Sequence, residues 1–508
     1  MRLYLAFLVA AASGALVAGS FPGLAWWPLS ILGTALLFWA LRGRTVGESI
    51  LVGLVGGAFY WGLLIDWLTV YLGPIPWLAL GGVQTLFFAV GAALITLAWR
   101  WVEPLWSGAW GRLIGLPAVL ASLIVLREAV TAVWPYGGFS WGRLAFAHSD
   151  SWFSSIAAWV GASGLSWFIA FLAAVLLQAV REVGFAWMLR GAVAIGVTAA
   201  LIAVPGFPGS ISGELTVAAV QGNADAGLFA QYERGEILTD HLEATALIPD
   251  EQARDVDVVV WPENASDLNP LWYPQAARQL DAVTARFGAP LVAGTITTDA
   301  EERVFNSLLL WESGRGVSDQ YDKIHPVPFA EYLPDREFWY PLAPALFDMV
   351  PRDYSFGERD NVFDLGKAIA GVAICFDIVD DALVWQMLGD DADVILAPTN
   401  NADFGRTDES AQQLAIARLR AIETHRTVVN ISTVGTSAII APDGSVIAQL
   451  PVFEAGFMLE TVPLSDTVTP ASVLQRIPEQ LASAFGLVML LVGGLLAARG
   501  GPGRLAGD

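Results

Sequence analysis

The sequence has almost no cysteine, little histidine and little charge. Cys375 is the one cysteine in 508 residues, so no internal disulfide can form and cysteine usage does not reveal the redox compartment. His148, His241, His325 and His425 stand far apart without ligand spacing; no metal site is expected, and no cofactor. Charged residues make up 15% of the chain, and lysine is missing from residues 1–210. That stretch holds nine arginines and six acids, a net of +3. The whole chain carries −22, which leaves −25 for residues 211–508. An acidic surface of this kind argues against nucleic acid as a partner.

What is present is apolar surface. Hydrophobic residues reach 55% and there are 21 tryptophans, too many for an ordinary soluble protein. Seven long apolar segments precede residue 206, at roughly 3–20, 25–41, 49–66, 76–98, 114–134, 155–180 and 187–205, and an eighth runs from about 481 to 497. Each is near the length that crosses a bilayer as a helix. The first has the look of a signal peptide, but further spans follow at once, so it is read as a membrane helix. With the N-terminus inside, the inner loops hold Arg42, Arg44, Arg100, Arg112, Arg181 and Arg190, and the tail holds Arg499 and Arg504. The outer loops before residue 206 hold only Arg143. That asymmetry predicts cytoplasmic termini and places the acidic region, residues 206–475, outside the cytoplasm. The expected order is a seven-helix membrane domain over 1–205, the outer domain over 206–475, an eighth span over 480–498 and a tail over 499–508. Two places in the membrane half are not plain lipid-facing helix. Arg127 and Glu128 fall within the fifth span, where ionisable residues usually face the bundle interior. Trp134–Phe146, WPYGGFSWGRLAF, suits an interfacial loop or re-entrant turn.

From Leu215 the pattern changes to short strands alternating with helices, which predicts a layered α/β domain of roughly 265 residues, long enough for its own core. Strands are expected at Leu215–Val220, Val256–Val260, Leu291–Thr295, Phe305–Trp311, Ala368–Ile374 and Val394–Ala397, with two more in Thr427–Ile440. Helices are expected at Ile237–Leu247, Pro270–Phe287 and Ser410–Arg426. Three strand ends or turns carry reactive side chains. Glu263 follows one apolar strand, in Trp261-Pro262-Glu263-Asn264. Cys375 follows another, in ICFD. Lys323 lies in YDKIHPVPFAEYLP, Tyr321–Pro334. A carboxylate can take the thiol proton, the thiolate can attack a carbonyl, and an ammonium can steady the resulting oxyanion; no histidine is needed. Spacing alone does not show that the three meet. After the third motif, Phe338-Trp339-Tyr340 and Leu342–Phe347 form an apolar aromatic stretch, the kind of surface exposed when it meets lipid or a partner. It is expected to form an arm that dips into the membrane interface.

WPEN, YDKIHPVPFAEYLP and ICFD in this order resemble the nitrilase superfamily, in which a Glu, a Lys and a Cys form the triad. Eight spans around such a domain, together with REAV and GGFSWGRLAF in the membrane half, VQGN, VFNSLLLW and LAIARLRAIETHR, resemble the apolipoprotein N-acyltransferase family, a membrane-embedded branch of that superfamily, over nearly the whole chain. The resemblance implies an αββα sandwich beside the multi-span helical domain, with Glu263 as general base, Lys323 as oxyanion stabiliser and Cys375 as acyl-carrying nucleophile. It implies supporting roles for Glu331, Asn306, Phe376 and Asp377. It also implies a bacterial inner-membrane location, a phospholipid acyl donor and an acceptor lipoprotein whose N-terminal cysteine bears diacylglycerol. The chain departs from the family pattern twice: Phe376-Asp377 stands where Tyr-Glu is common, and Leu228 and Phe229 lie where some members have a tryptophan. Two other readings compete. A membrane-tethered amidase or nitrilase would hydrolyse a small amide with the same triad, although eight spans are excessive for a tether. A transporter with a non-catalytic outer domain should hold paired charges in several spans.

Overall fold

The computed structural model describes residues 1–499 except 225, 226, 228, 229, 231 and 351. Leu228, Phe229 and Arg504, singled out above, lie outside the described residues. The chain divides into two compact units, residues 1–206 with the described residues from Leu474 onward, and Phe207–Val473.

Eight helices of the first unit occupy the eight apolar segments: Leu3–Ala18, Pro28–Leu41, Val46–Leu64, Pro74–Leu105, Gly111–Thr131, Ile156–Arg181, Trp187–Ile202 and Ile477–Arg499. Five are long and apolar enough to cross a membrane; Leu3–Ala18, Pro28–Leu41 and Trp187–Ile202 are shorter. Small residues set how closely the helices approach. A methyl group on Gly14 would fall 2.2 Å from the Gly56 carbonyl oxygen, and one on Gly33 would fall 2.8 Å from that of Ser13. Only hydrogen fits at such crossings, the usual means of packing helices that gain nothing from hiding apolar surface in lipid. Arg127 and Glu128 turn inward. The Arg127 guanidinium lies 4.7 Å from the Phe88 ring centre and 3.8 Å from Glu128, whose Oε1 accepts the Leu144 N–H at 3.1 Å. Tyr60 donates its hydroxyl to the Gly142 carbonyl at 2.6 Å. These bonds hold the Trp134–Phe146 loop, whose second half is buried from Ser140 onward while Trp134 stays exposed. The loop is therefore built into the bundle and is only at its start an aromatic surface.

The second unit contains two six-stranded sheets. In chain order the strands are β1 (Gly213–Gln221), β2 (Val258–Val260), β3 (Leu291–Thr298), β4 (Val304–Glu312), β5 (Gly316–Asp322), β6 (Val362–Asp364), β7 (Ile369–Val372), β8 (Val394–Thr399), β9 (Thr427–Ser432), β10 (Ala438–Ile440), β11 (Val446–Gln449) and β12 (Gly456–Leu464). One sheet runs β12-β1-β2-β3-β4-β5, the other β11-β10-β9-β8-β7-β6. Strand alternation sorts the side chains. Val217 and Ala219 of β1 join Val258, Val372, Leu396 and Val429 in a core shared by both sheets. Ala218 and Val220 point the other way, onto Leu238, Ala276 and Leu280 of the helices Glu236–Ala246 and Pro274–Phe287. The helices Asp381–Gly389 and Glu409–Thr424 pack on the second sheet. The result is the expected αββα sandwich, and each fully buried Val or Leu side chain contributes roughly 1.5–3 kcal/mol to it. β5, β6, β11 and β12 are additions to the expected strands. β12 pairs antiparallel with β1 along its whole length, Gly213 opposite Leu464 through Gln221 opposite Gly456, which ties the two ends of the unit together.

Candidate active site

The thiol sits on a turn held from both sides. β7 ends at Val372, and two residues later the chain tightens into the single 3₁₀ turn Cys375–Val379. Cys375 itself has φ of 53°, a left-handed conformation that costs a non-glycine residue on the order of 1–3 kcal/mol. The surroundings supply the compensation. Asp377, one methylene shorter than the usual glutamate, accepts the Ile374 N–H at 3.1 Å and the Tyr321 hydroxyl at 2.9 Å. Arg420, fully buried, donates to the carbonyls of Ile378 (3.0 Å) and Val379 (2.9 Å) and is neutralised by Asp381 and Glu423 at 2.7 and 2.6 Å.

The carboxylate and the ammonium come from the other sheet. Glu263 follows β2 on a turn that lies against β3. A methyl group on Gly294 would fall 2.4 Å from the Pro262 oxygen and 2.7 Å from the Glu263 Cα, so glycine is required there. Lys323 follows β5, and its N–H donates to the Asn306 carbonyl of β4 at 2.8 Å. Asn306 is the hub, because its Nδ2 donates to Glu263 Oε1 at 2.7 Å and to Glu331 Oε1 at 3.0 Å. Glu331 Oε2 in turn accepts the Val327 N–H at 2.6 Å and lies 2.9 Å from Lys323 Nζ. Glu263, Asn306, Glu331 and Lys323 thus form one hydrogen-bonded cluster, and Cys375 lies within the field of Glu263 and Lys323.

Burial controls the protonation states. Burial pushes the Cys375 thiol up; Glu263 and Glu409 add to the rise, while Lys323 and a hydrogen bond with Thr399 oppose it. Burial also raises Glu263, against the pull of Lys323 and the bonds from Asn306 and the Asn400 backbone. For Lys323, burial acts to lower it, but Glu331, Glu263, Cys375 and Asp377 outweigh that and hold it above its ordinary value. Burial lifts Asp377 to about 7 despite Lys323 and the Tyr321 hydroxyl. The site therefore combines a neutral thiol, a carboxyl that binds a proton readily and a permanent cation. Among the described residues there is no cluster of His, Cys, Asp and Glu that could hold a metal ion.

Phe376 follows the thiol on the same turn, half-buried. Phe338, Trp339 and Tyr340 are not part of the polar cluster. They lie on the short helix Arg336–Trp339 and the turn Tyr340–Leu342, where Phe338 and Leu342 are 63% and 66% exposed. Trp339 and Phe347 pack on Phe329 at 5.4 and 6.5 Å between ring centres, two residues from Glu331. No residue from Asp335 to Val350 is buried, so the stretch is surface and not core. Nothing local in the sequence marks Thr399, Asn401 and Glu409; each sits in an ordinary helix or strand-end pattern, and only the fold links them to the thiol.

Residues 216–469 match the carbon-nitrogen hydrolase family, and residues 13–175 match the apolipoprotein N-acyltransferase N-terminal domain. The apolipoprotein N-acyltransferase of Mycolicibacterium smegmatis is 30% identical over 96% of this chain and 84% of its own. That of Photobacterium profundum is 25% identical over 96% and 94%. Among solved structures, Saccharomyces cerevisiae Nit3, a nitrilase-superfamily member, aligns with 53% of this chain and 97% of its own at 18% identity and a TM-score of 0.39. An N-terminal region matching one family model, a following half of the chain matching the other and similarity to the bacterial enzymes over 96% of the chain leave one assignment: the chain belongs to the apolipoprotein N-acyltransferase family, as a membrane protein with a carbon-nitrogen-hydrolase catalytic unit.

Proposed function

We propose that this acyltransferase moves an acyl chain from a membrane phospholipid, through a thioester on Cys375, to the α-amino group of an N-terminal diacylglyceryl-cysteine of apolipoproteins. The observation that carries the reading is the Glu263–Asn306–Glu331–Lys323 cluster beside the lone thiol, in a chain whose other half is apolar helix. Two large lipid substrates need not be bound together if the first product leaves before the second substrate enters.

The protonation states support a definite order of events. A thiol held above its ordinary value is not a standing thiolate, so its proton must leave as the sulfur attacks. Glu263 takes that proton. Sulfur adds to the phospholipid ester carbonyl, and Lys323 and the Phe376 N–H hold the oxyanion. The C–O bond breaks, the lysophospholipid oxygen receives the proton from Glu263, and the acyl group remains on sulfur. The lipoprotein amine then attacks the thioester and gives a proton to Glu263. The C–S bond breaks and the sulfur recovers that proton. Glu331 keeps Lys323 charged and aimed through its 2.9 Å contact. The exposed aromatic stretch 335–350 guides the acyl chain and keeps water from the thioester. The arginine-rich inner loops support an extracytoplasmic catalytic unit with both termini in the cytoplasm.

Purified protein incubated with labelled phospholipid and a diacylated lipopeptide should yield a triacylated peptide. Hydrolysis of small amides without such transfer would instead mark the chain as an amidase.

A further inference from the structure

Behind the thiol lies a buried polar layer that the proposed steps do not use, and it contains one ionisable group. Glu409 opens the helix Glu409–Thr424 and is 3% exposed. Its Oε2 accepts one Asn401 Nδ2 proton at 2.8 Å, and the second Nδ2 proton goes to Gln413 Oε1 at 2.9 Å. Asn401 Oδ1 accepts the Ser432 hydroxyl at 2.7 Å. Gln413 Oε1 also accepts the Thr399 hydroxyl at 3.0 Å, and Thr399 is hydrogen-bonded to the Cys375 thiol. Thr399, Asn401 and Gln413 are all buried. The neighbouring Asn400 backbone bonds Glu263. The chain Glu409–Asn401–Gln413–Thr399–Cys375 is thus continuous, and both hydrogens of the Asn401 amide are committed.

This arrangement has a use when sulfur becomes negative. The Thr399 hydroxyl can then turn its hydrogen to sulfur, because Gln413 keeps the Asn401 amide as donor. We propose that Glu409 is a positioning residue for the nucleophile, and that its carboxyl must hold its proton for Cys375 to react. The inference rests on reading Cys375 as the nucleophile and Glu263 as its base.

The electrostatics support it. A carboxylate here would add its charge to the field felt by Glu263 and Cys375 and oppose negative charge on both. Burial lifts Glu409 to about 8, with Glu263 adding to the rise and the Asn401 bond opposing it. Among the described residues no cation offsets this. The helix packs on β9, β10 and the turn Cys375–Val379. β9 and β10 contain no ionisable side chain, and Asp377 on the turn is engaged by Tyr321 and Ile374. Arg420 is paired with Asp381 and Glu423, and Arg418 donates to the Gly444 carbonyl. In the preceding loop Asp403 is half-buried, while Arg406 and Asp408 are exposed. Below about pH 8 the layer is neutral; above it the charge appears and thiol reactivity is held back.

The test needs no lipid. Iodoacetamide alkylation of Cys375, the one cysteine, is followed by intact-protein mass across pH 6.5–9.5 on the full chain in detergent. An isolated thiol below its titration gains about tenfold in rate per pH unit. The expected result is a gain of less than about threefold between pH 8 and 9 in the wild type and about tenfold in Glu409→Gln, which keeps an acceptor for Asn401. Glu409→Ala, which removes that acceptor, should be slower at every pH than Glu409→Gln. Superimposable wild-type and Glu409→Gln profiles would overturn the proposal. If Glu409→Gln does not fold, the wild type alone decides, because an unbroken tenfold rise per unit contradicts it. The expected profiles without lipid transfer would sink the proposed function and leave this inference standing.

Discussion

Replacing Glu331 by glutamine tests whether a carboxylate holds the oxyanion cation in place. The side chain makes three contacts: Lys323 Nζ at 2.9 Å, the Val327 N–H at 2.6 Å and Asn306 Nδ2 at 3.0 Å. Glutamine keeps the shape and can still accept from one donor. It removes the charge that most strongly offsets the burial of Lys323, whose side chain is 1% exposed. Breaking a buried pair by changing one partner costs about 3–5 kcal/mol, and the partial exposure of Glu331, 15%, argues for the lower end. If roughly 3 kcal/mol falls on the transition state, acylation should slow about 150-fold. The assay is single-turnover acylation of Cys375 by phospholipid, read by intact mass, with thermal unfolding as a control for folding. A rate within threefold of wild type would mean that Glu331 does not set the position of Lys323, and the role given to that contact would be wrong.

Three further outcomes are expected. Cys375→Ser and Cys375→Ala should stay folded and membrane-inserted while losing at least about 10³-fold in transfer; activity within tenfold of wild type would sink the nucleophile assignment. A cysteine introduced near Asp250, whose side chain is 85% exposed, into the Cys375→Ala protein should react with a membrane-impermeant probe on intact cells or spheroplasts; labelling only after the membrane is broken would reverse the proposed topology. Serine at Phe338, Trp339 and Tyr340 together should slow acyl-enzyme formation roughly tenfold while leaving thermal unfolding within about 2 °C, since the stretch is surface; a large loss of stability with unchanged acylation would contradict the arm.

The parts of the site legible in the sequence are those where an apolar strand ends abruptly in a reactive side chain. Glu263 after Val258–Val260 and Cys375 after Ile369–Val372 have that signature, because a buried parallel strand must be apolar on both faces until it reaches the site. Glu409 has no such signature. An acid at the start of a helix is the ordinary partner of the helix dipole, and nothing local tells that the fold will bury it. The missed strands share another cause. β5, Gly316–Asp322, is a polar edge strand, and β12 finds its partner β1 more than two hundred residues away, where no local pattern can announce the pairing. In the helical unit, segment positions followed from hydropathy, but lengths did not. Leu3–Ala18 stops and Pro28–Leu41 starts on either side of the turns that hold Trp26-Trp27, although apolar residues continue through them.

The central claim is that the acyl group rests on Cys375 between two separate half-reactions. The direct measurement is intact-protein mass after incubation with phospholipid and no acceptor. The account predicts one added acyl chain on wild type, absent from Cys375→Ala, removed by hydroxylamine, and transferred to peptide when a diacylated lipopeptide is added afterwards. An active preparation that forms no adduct, or whose rate requires both substrates bound together, would contradict it.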